Sequence, residues 1–208
     1  MRTALLLLLA ATACTSASPS APPPESVRDH LESPTRLFVA PDSSGGVLTA
    51  RRWTRDGWAE GQVPIAIDNG GLSARLDARG RLVITELTLA LAPVEIPETV
   101  IGTSARLERL SVQLAAQPDP TATTWIGDND ATLATTFDLT LDWAVTVDDT
   151  TAVLAPVHLP PIAGSILIGG DGERVDATIT FAAPGRLWSW AGLVELGDFH
   201  LVLDLSTP

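Results

Sequence analysis

The longest regular alternation of apolar and polar residues in the chain runs from Leu133 to Val147, LATTFDLTLDWAVTV. Successive side chains of a strand face opposite sides of a sheet. Phe137, Leu139, Leu141, Trp143, Val145 and Val147 therefore share one face, and Asp138, Thr140, Asp142, Ala144 and Thr146 share the other. A helix would scatter the same apolar set around its circumference. At about 3.3 Å per residue the run spans roughly 50 Å, longer than most strands, which predicts a bend or bulge within it. One face belongs to a core, and the other meets water or a polar lumen.

The same two-residue period recurs from Arg36 to the C-terminus. It predicts strands at Arg36 to Val39, Val47 to Trp53, Val63 to Ile67, Leu72 to Asp77, Arg81 to Ala92, Ala105 to Ala116, Leu133 to Val147, Ala152 to Ala155, Ser165 to Ile168, Arg174 to Phe181 and Asp198 to Leu205. Turn-forming residues separate them, among them Asp68-Asn69-Gly70-Gly71, Ala78-Arg79-Gly80, Asp148-Asp149 and Pro184-Gly185. The pattern predicts an all-β fold, an antiparallel sandwich or barrel of roughly 9–11 strands. Outside the N-terminal apolar run, one helix is expected, a turn or two at Glu25 to Glu32 that pairs Val27 with Leu31 before Pro34 stops it.

Leu91-Ala92-Pro93-Val94-Glu95-Ile96-Pro97 recurs as Leu154-Ala155-Pro156-Val157-His158-Leu159-Pro160, identical at five of seven positions. Proline cannot donate to a ladder, so each copy reads as an extended edge or crossover segment. Two similar β-halves, or coincidence in a chain rich in these residue types, both account for the match.

Composition narrows the function classes. The 208 residues are 45% apolar and 18% charged, enough to build a core in a single domain. A formal charge of -12 with no basic run argues against a nucleic-acid partner and against resting on anionic lipid by electrostatics. All 13 basic residues are arginine, which removes Schiff-base chemistry, a P-loop lysine and a lysine general base.

The first thirteen residues hold Arg2, an apolar run with five consecutive leucines, and small residues before Cys14. This is the layout of a secretory signal whose apolar part is too short to span a bilayer. Ala11-Thr12-Ala13-Cys14 resembles the lipobox of bacterial lipoproteins, with Ala11 where leucine is commoner. The resemblance covers residues 1–14 only. It implies a signal peptide over 1–13, cleavage before Cys14, and lipidation of Cys14 as the attachment to a membrane. It further implies export to the cell envelope, and Thr15 is compatible with outer-membrane sorting. An ordinary cleaved signal would leave Cys14 incidental, but a lone cysteine at the end of the apolar run favours lipidation. Residues 14–25 then form a Pro/Ser-rich tether, and 26–208 a single β-domain.

Local signatures of catalysis are missing. No G-x-S-x-G occurs, and His30, His158 and His200 show no metal-ligand spacing, so each reads as a surface histidine. Asp128 and Asp130, flanking Asn129, suit a calcium loop in donor type, although the EF-hand pattern is missing and a solvated turn is the simpler reading. Of the six tryptophans, Trp143 belongs to the core by register, and the rest are expected mainly as core or cap. Trp188 and Trp190, just after a turn, and Trp125 are the ligand-binding candidates.

These residues point to a non-catalytic β-domain, requiring no cofactor, that binds an apolar ligand, a lipid or another envelope protein. A packed sandwich with a structural or adhesive role is the alternative. A carbohydrate-active enzyme comes third, since carboxylate pairs are set by the fold rather than by spacing.

Overall fold

The structure, a computed structural model, describes residues 26–127, 129–170, 172–190 and 194–208. Cys14, the signal segment and the tether lie outside them. A short helix, α1 (Val27–His30), leads into β1 (Thr35–Val39), β2 (Gly45–Thr54), β3 (Gly57–Leu76), β4 (Leu82–Leu91) and β5 (Val94–Ile96). A second, α2 (Glu98–Ile101), precedes β6 (Ala105–Ala116), β7 (Thr123–Ile126), β8 (Asp130–Val147), β9 (Thr150–Val153) and β10 (Val157–His158). The chain ends with β11 (Ile162–Gly170), β12 (Val175–Trp190) and β13 (Val194–Ser206).

All the pairings are antiparallel, and they close on themselves. β3 pairs with β4, β4 with β6, β6 with β8, β8 with β11, β11 with β12, and β12 with β13. One slot between β13 and β3 remains, and two strands share it: β1 at one end, with Leu37 opposite Leu72, and β2 at the other, with Leu48 opposite Val63. The result is a ring of eight positions visited in chain order. A ring whose neighbours are all antiparallel requires an even number of positions. Its seam is narrow, since β4 meets β6 only over Thr88 to Ala90.

Because the strands run up and down, the connections gather at two ends. The near end carries α1, the β3–β4 turn and the β11–β12 turn. The far end carries the β2–β3 turn, the end of β12, the start of β13, β5, α2 and the segment from β9 to Ile162. Among the described residues no polar or charged residue is buried, so the interior is a single apolar core. Among the described residues that core runs from Val27 to Leu205, so residues 26–208 carry a hydrophobic core of their own.

The predicted helix packs both of its apolar residues, Val27 and Leu31, fully inside, where they stop the near end of the ring. Ser26 N–H donates to the Asp29 carboxylate at 3.2 Å, and Leu31 carbonyl accepts from Leu76 N–H at 2.7 Å. The long strand β8 buries the expected face, with Phe137, Leu139, Trp143 and Val145 inside. Its irregularity falls on the neighbour. In β6, Glu108 pairs with Ala144 but Ser111 with Asp142, one residue too many, and Arg109 takes φ 54°. This bulge lets Leu107, Leu110 and Val112 all face inward despite their broken period.

Thirteen strands are present among the described residues rather than 9–11. β5, β7 and β10, of three, four and two residues, are too short to carry a period. Two expected turns are strand interior. Asp68 to Gly71 lies within continuous β3, and Pro184-Gly185 lies within β12 as an irregularity opposite β13. A Cβ on Gly70 would sit 2.6 Å from the Thr88 carbonyl, and one on Gly71 2.8 Å from that of Leu37. These glycines serve close strand approach, not reversal. The single turn of α2 is a further addition, too short to show a helical period. The recurrent Leu-Ala-Pro-Val segments form β5 and β10, the two ends of the pairing order, as edge segments. β5 pairs with the strand that follows it, β6, whereas β10 pairs with one that precedes it, β8.

Candidate functional site

The core is not uniform along the ring axis. In the near half, Leu37, Leu72, Ile84, Leu133, Ile166 and Ile168 are fully or almost fully buried beneath α1. Midway, Phe137 on β8 and Phe181 on β12 meet edge to face, their centroids 5.0 Å apart at 82°. Gly164 on β11 makes this possible, because a Cβ there would lie 2.7 Å from the Phe137 ring and 3.0 Å from that of Phe181. Beyond Phe181 the packing opens into a cavity of about 90 Å³.

Seventeen residues line it, every one apolar and eleven of them leucine. Every ring position contributes, from Leu48 on β2 and Ile65 on β3 to Leu107 on β6, Leu139 on β8 and Leu196 on β13. Val94 of β5 and Leu159, which follows β10, contribute from the far end, so the two proline-flanked segments share the task of lining the cavity. Leu91, Leu141, Leu187 and Phe199 keep partial exposure and set its rim.

An engineered cavity of about 150 Å³ with this kind of lining stays dry and takes up benzene. A site of 90 Å³ with no polar side chain offers water no partner and suits part of an acyl or other hydrocarbon chain. It offers burial, at about 0.8 kcal/mol per CH₂, and neither a proton donor nor an acceptor from a side chain. Leucine side chains can exchange rotamers, which gives the walls latitude to admit a longer chain.

The sequence candidates fall elsewhere. Trp125 is not in the cavity wall. It lies at the near end on β7, where its indole N–H donates to the Gly80 carbonyl at 2.8 Å and the Arg28 guanidinium of α1 sits 4.3 Å from the ring centroid. Together with Thr123, whose hydroxyl accepts from Leu82 N–H at 3.0 Å, it covers the opening where β4 and β6 part. Trp188 and Trp190 pair through their backbones with Leu196 and Val194, beside the cavity's far end, and their side chains lie outside the described structure. Asp128 is outside the described residues. Asp130 is exposed, and no group of three or more metal-ligating side chains occurs among the described residues.

The expectation for the remaining tryptophans divides. Trp143 is buried in the core, but Trp53 and Trp58 are 66% and 52% exposed, because they stand at the tip of the β2–β3 hairpin, where no element among the described residues covers them. His158 and His200 are exposed, as the sequence pattern predicts. His30 is partly buried and its Nε2 lies 2.5 Å from the Gly172 carbonyl, pinning α1 to the β11–β12 turn.

One strongly perturbed carboxylate has a structural task. Asp77 accepts from the backbone N–H groups of Arg79 and Arg81 and from the Arg81 guanidinium, at 2.7–2.9 Å. The Arg81 hydrogen bonds, backbone first, hold its pKa down to about 2. It fastens the β3–β4 turn at the end opposite the cavity.

No protein-family model and no curated protein matches the chain.

Proposed function

We propose that this protein is an exported lipoprotein of the bacterial cell envelope, anchored through Cys14 to the outer membrane, whose β-domain holds an apolar ligand such as a lipid chain. The observation that carries the binding reading is the cavity, lined by apolar residues from all eight positions of the ring and closed below by the Phe137–Phe181 pair. A domain that served only as a packed module would gain by filling that space, since voids forfeit dispersion contacts. The anchoring reading rests on the resemblance of residues 11–14 to a lipobox.

The test is native mass spectrometry of residues 26–208 produced in a bacterial periplasm, before and after organic extraction. Retained mass that extraction removes, and that chromatography identifies as an acyl or isoprenoid species, is the expected result. A bare mass, together with no uptake of a fluorescent fatty acid from solution, would refute the binding reading. Acylation is tested separately, by metabolic labelling of the full chain and of Cys14→Ser with a palmitate analogue, with label expected only on the former.

A further inference from the structure

The β2–β3 hairpin ends in a two-residue turn, Arg55-Asp56, with Trp53 directly opposite Trp58. Their rings meet at 5.3 Å and 76°, and both remain more than half exposed. A pair of this size would ordinarily be buried, because aromatic side chains dominate cores and interfaces. The tip is rigid. Thr54 Oγ1 donates to the Gly57 carbonyl at 2.8 Å and accepts from Asp56 N–H at 3.3 Å. Arg52 behind it donates to the Ile101 carbonyl at 2.7 Å, tying the hairpin to α2. A Cβ on Gly57 in the turn would meet nothing within 4 Å, so that side of the turn faces open space.

The surroundings select one kind of partner. Along the hairpin Arg51, Arg52 and Arg55 accompany Asp56 and Glu60, and Glu195 of β13 pairs with both Arg51 at 3.2 Å and Arg186 at 3.7 Å, so the tip is within one charge of neutral in a chain of formal charge -12. Anionic surfaces are repelled by the domain as a whole, but a near-neutral tip approaches a zwitterionic surface without that penalty. Indole suits the headgroup region of a bilayer, with an apolar body and a polar N–H. A sugar ring would stack on a flat aromatic face, and rings crossed at 76° present no common plane. The tip is at the far end, about 17 Å along β2 from Leu48 of the cavity wall. Ser26, through which an anchor at Cys14 connects, is at the near end.

We propose that the Trp53–Trp58 tip docks the domain onto the headgroup layer of a zwitterionic phospholipid bilayer, presenting the cavity's end of the ring to the lipid. This rests on the proposed function for its purpose, though not for its test. Residues 26–208, which carry no anchor, are floated with vesicles of phosphatidylcholine and phosphatidylethanolamine. Wild type is expected to float with the vesicles at low and high salt alike, with a blue shift of tryptophan emission. The double variant Trp53→Ser/Trp58→Ser should keep the wild-type melting temperature and lose vesicle partition by at least about tenfold.

Wild type that stays in the subphase, or a double variant that floats equally well, overturns the proposal. So does wild type that dimerises without vesicles while the double variant stays monomeric, since the tip would then join two copies. An extractable ligand with no vesicle binding sinks the docking and leaves the cavity reading intact. Vesicle binding with an empty cavity does the reverse.

Discussion

Two substitutions on the same face of the same strand separate a cavity-bearing core from a filled one. Leu139 and Leu133 both point inward from β8, six residues apart, and both are buried. Leu139 lines the cavity, whereas Leu133 lies in the packed near half against β11 and β7. At about 24 cal/mol per Å³, a void of 90 Å³ costs about 2 kcal/mol, the upper limit of what filling it can return. Leu139→Phe places its extra atoms in that void and should stabilise the unliganded domain by about 0.5–2 kcal/mol, part of the gain being lost to imperfect fit. Leu133→Phe has nowhere to put them and should destabilise by about 1–3 kcal/mol. For a domain of this size each kcal/mol moves Tm by about 2–4 °C, so the two variants should differ by several degrees in opposite directions. Urea unfolding of the extracted protein, followed by circular dichroism, measures both. The same Leu139→Phe substitution should abolish fatty-acid uptake, while Leu133→Phe leaves it in whatever fraction remains folded. If Leu139→Phe costs as much as Leu133→Phe, the interior is packed throughout and the binding reading loses its basis.

Two further outcomes probe the frame of the site. Gly164→Ala drives a methyl to 2.7 Å from the Phe137 ring, which is buried and backed by the packed half. It should cost about 1–3 kcal/mol, with recovery in Gly164→Ala/Phe137→Leu; an unchanged unfolding midpoint would contradict the edge-to-face floor. Asp77 binds its proton less readily in the folded state, at a pKa of about 2 against an ordinary 3.8. Its stabilising contribution is therefore complete above the unfolded value and is lost as the pH falls from about 4 through 2. Asp77→Asn should be less stable than wild type at neutral pH, and the gap in chemical denaturation should close towards pH 2; a gap independent of pH would refute the assignment.

The period of two, by itself, determines a great deal. It places Phe137, Leu139, Trp143 and Val145 inside, predicts an all-β antiparallel class, and the helical spacing puts Val27 and Leu31 on one face of a short turn, because strand and helix geometry translate spacing directly into facing. What spacing cannot express is which distant strands meet. Ring closure depends on β6 finding β8, and the bulge at Arg109 shifts the inward set from alternate positions to Leu107, Leu110 and Val112. Glycine is the main source of misreading, since the residue answers two needs that a sequence does not distinguish. At Gly80 it supplies φ +70° in a true turn, while at Gly70 and Gly71 it removes a Cβ that neighbouring carbonyls would strike. Tryptophan misleads for a related reason. Residue type reports that an indole gains by burial, but whether anything covers it is decided by the fold, which sheaths Trp143 and leaves Trp53 and Trp58 at a bare tip. The cavity is tertiary in the same sense. Each of its seventeen lining residues has the apolar character of a core position, and only the mismatch among their summed volumes, once the ring has closed, leaves space between them.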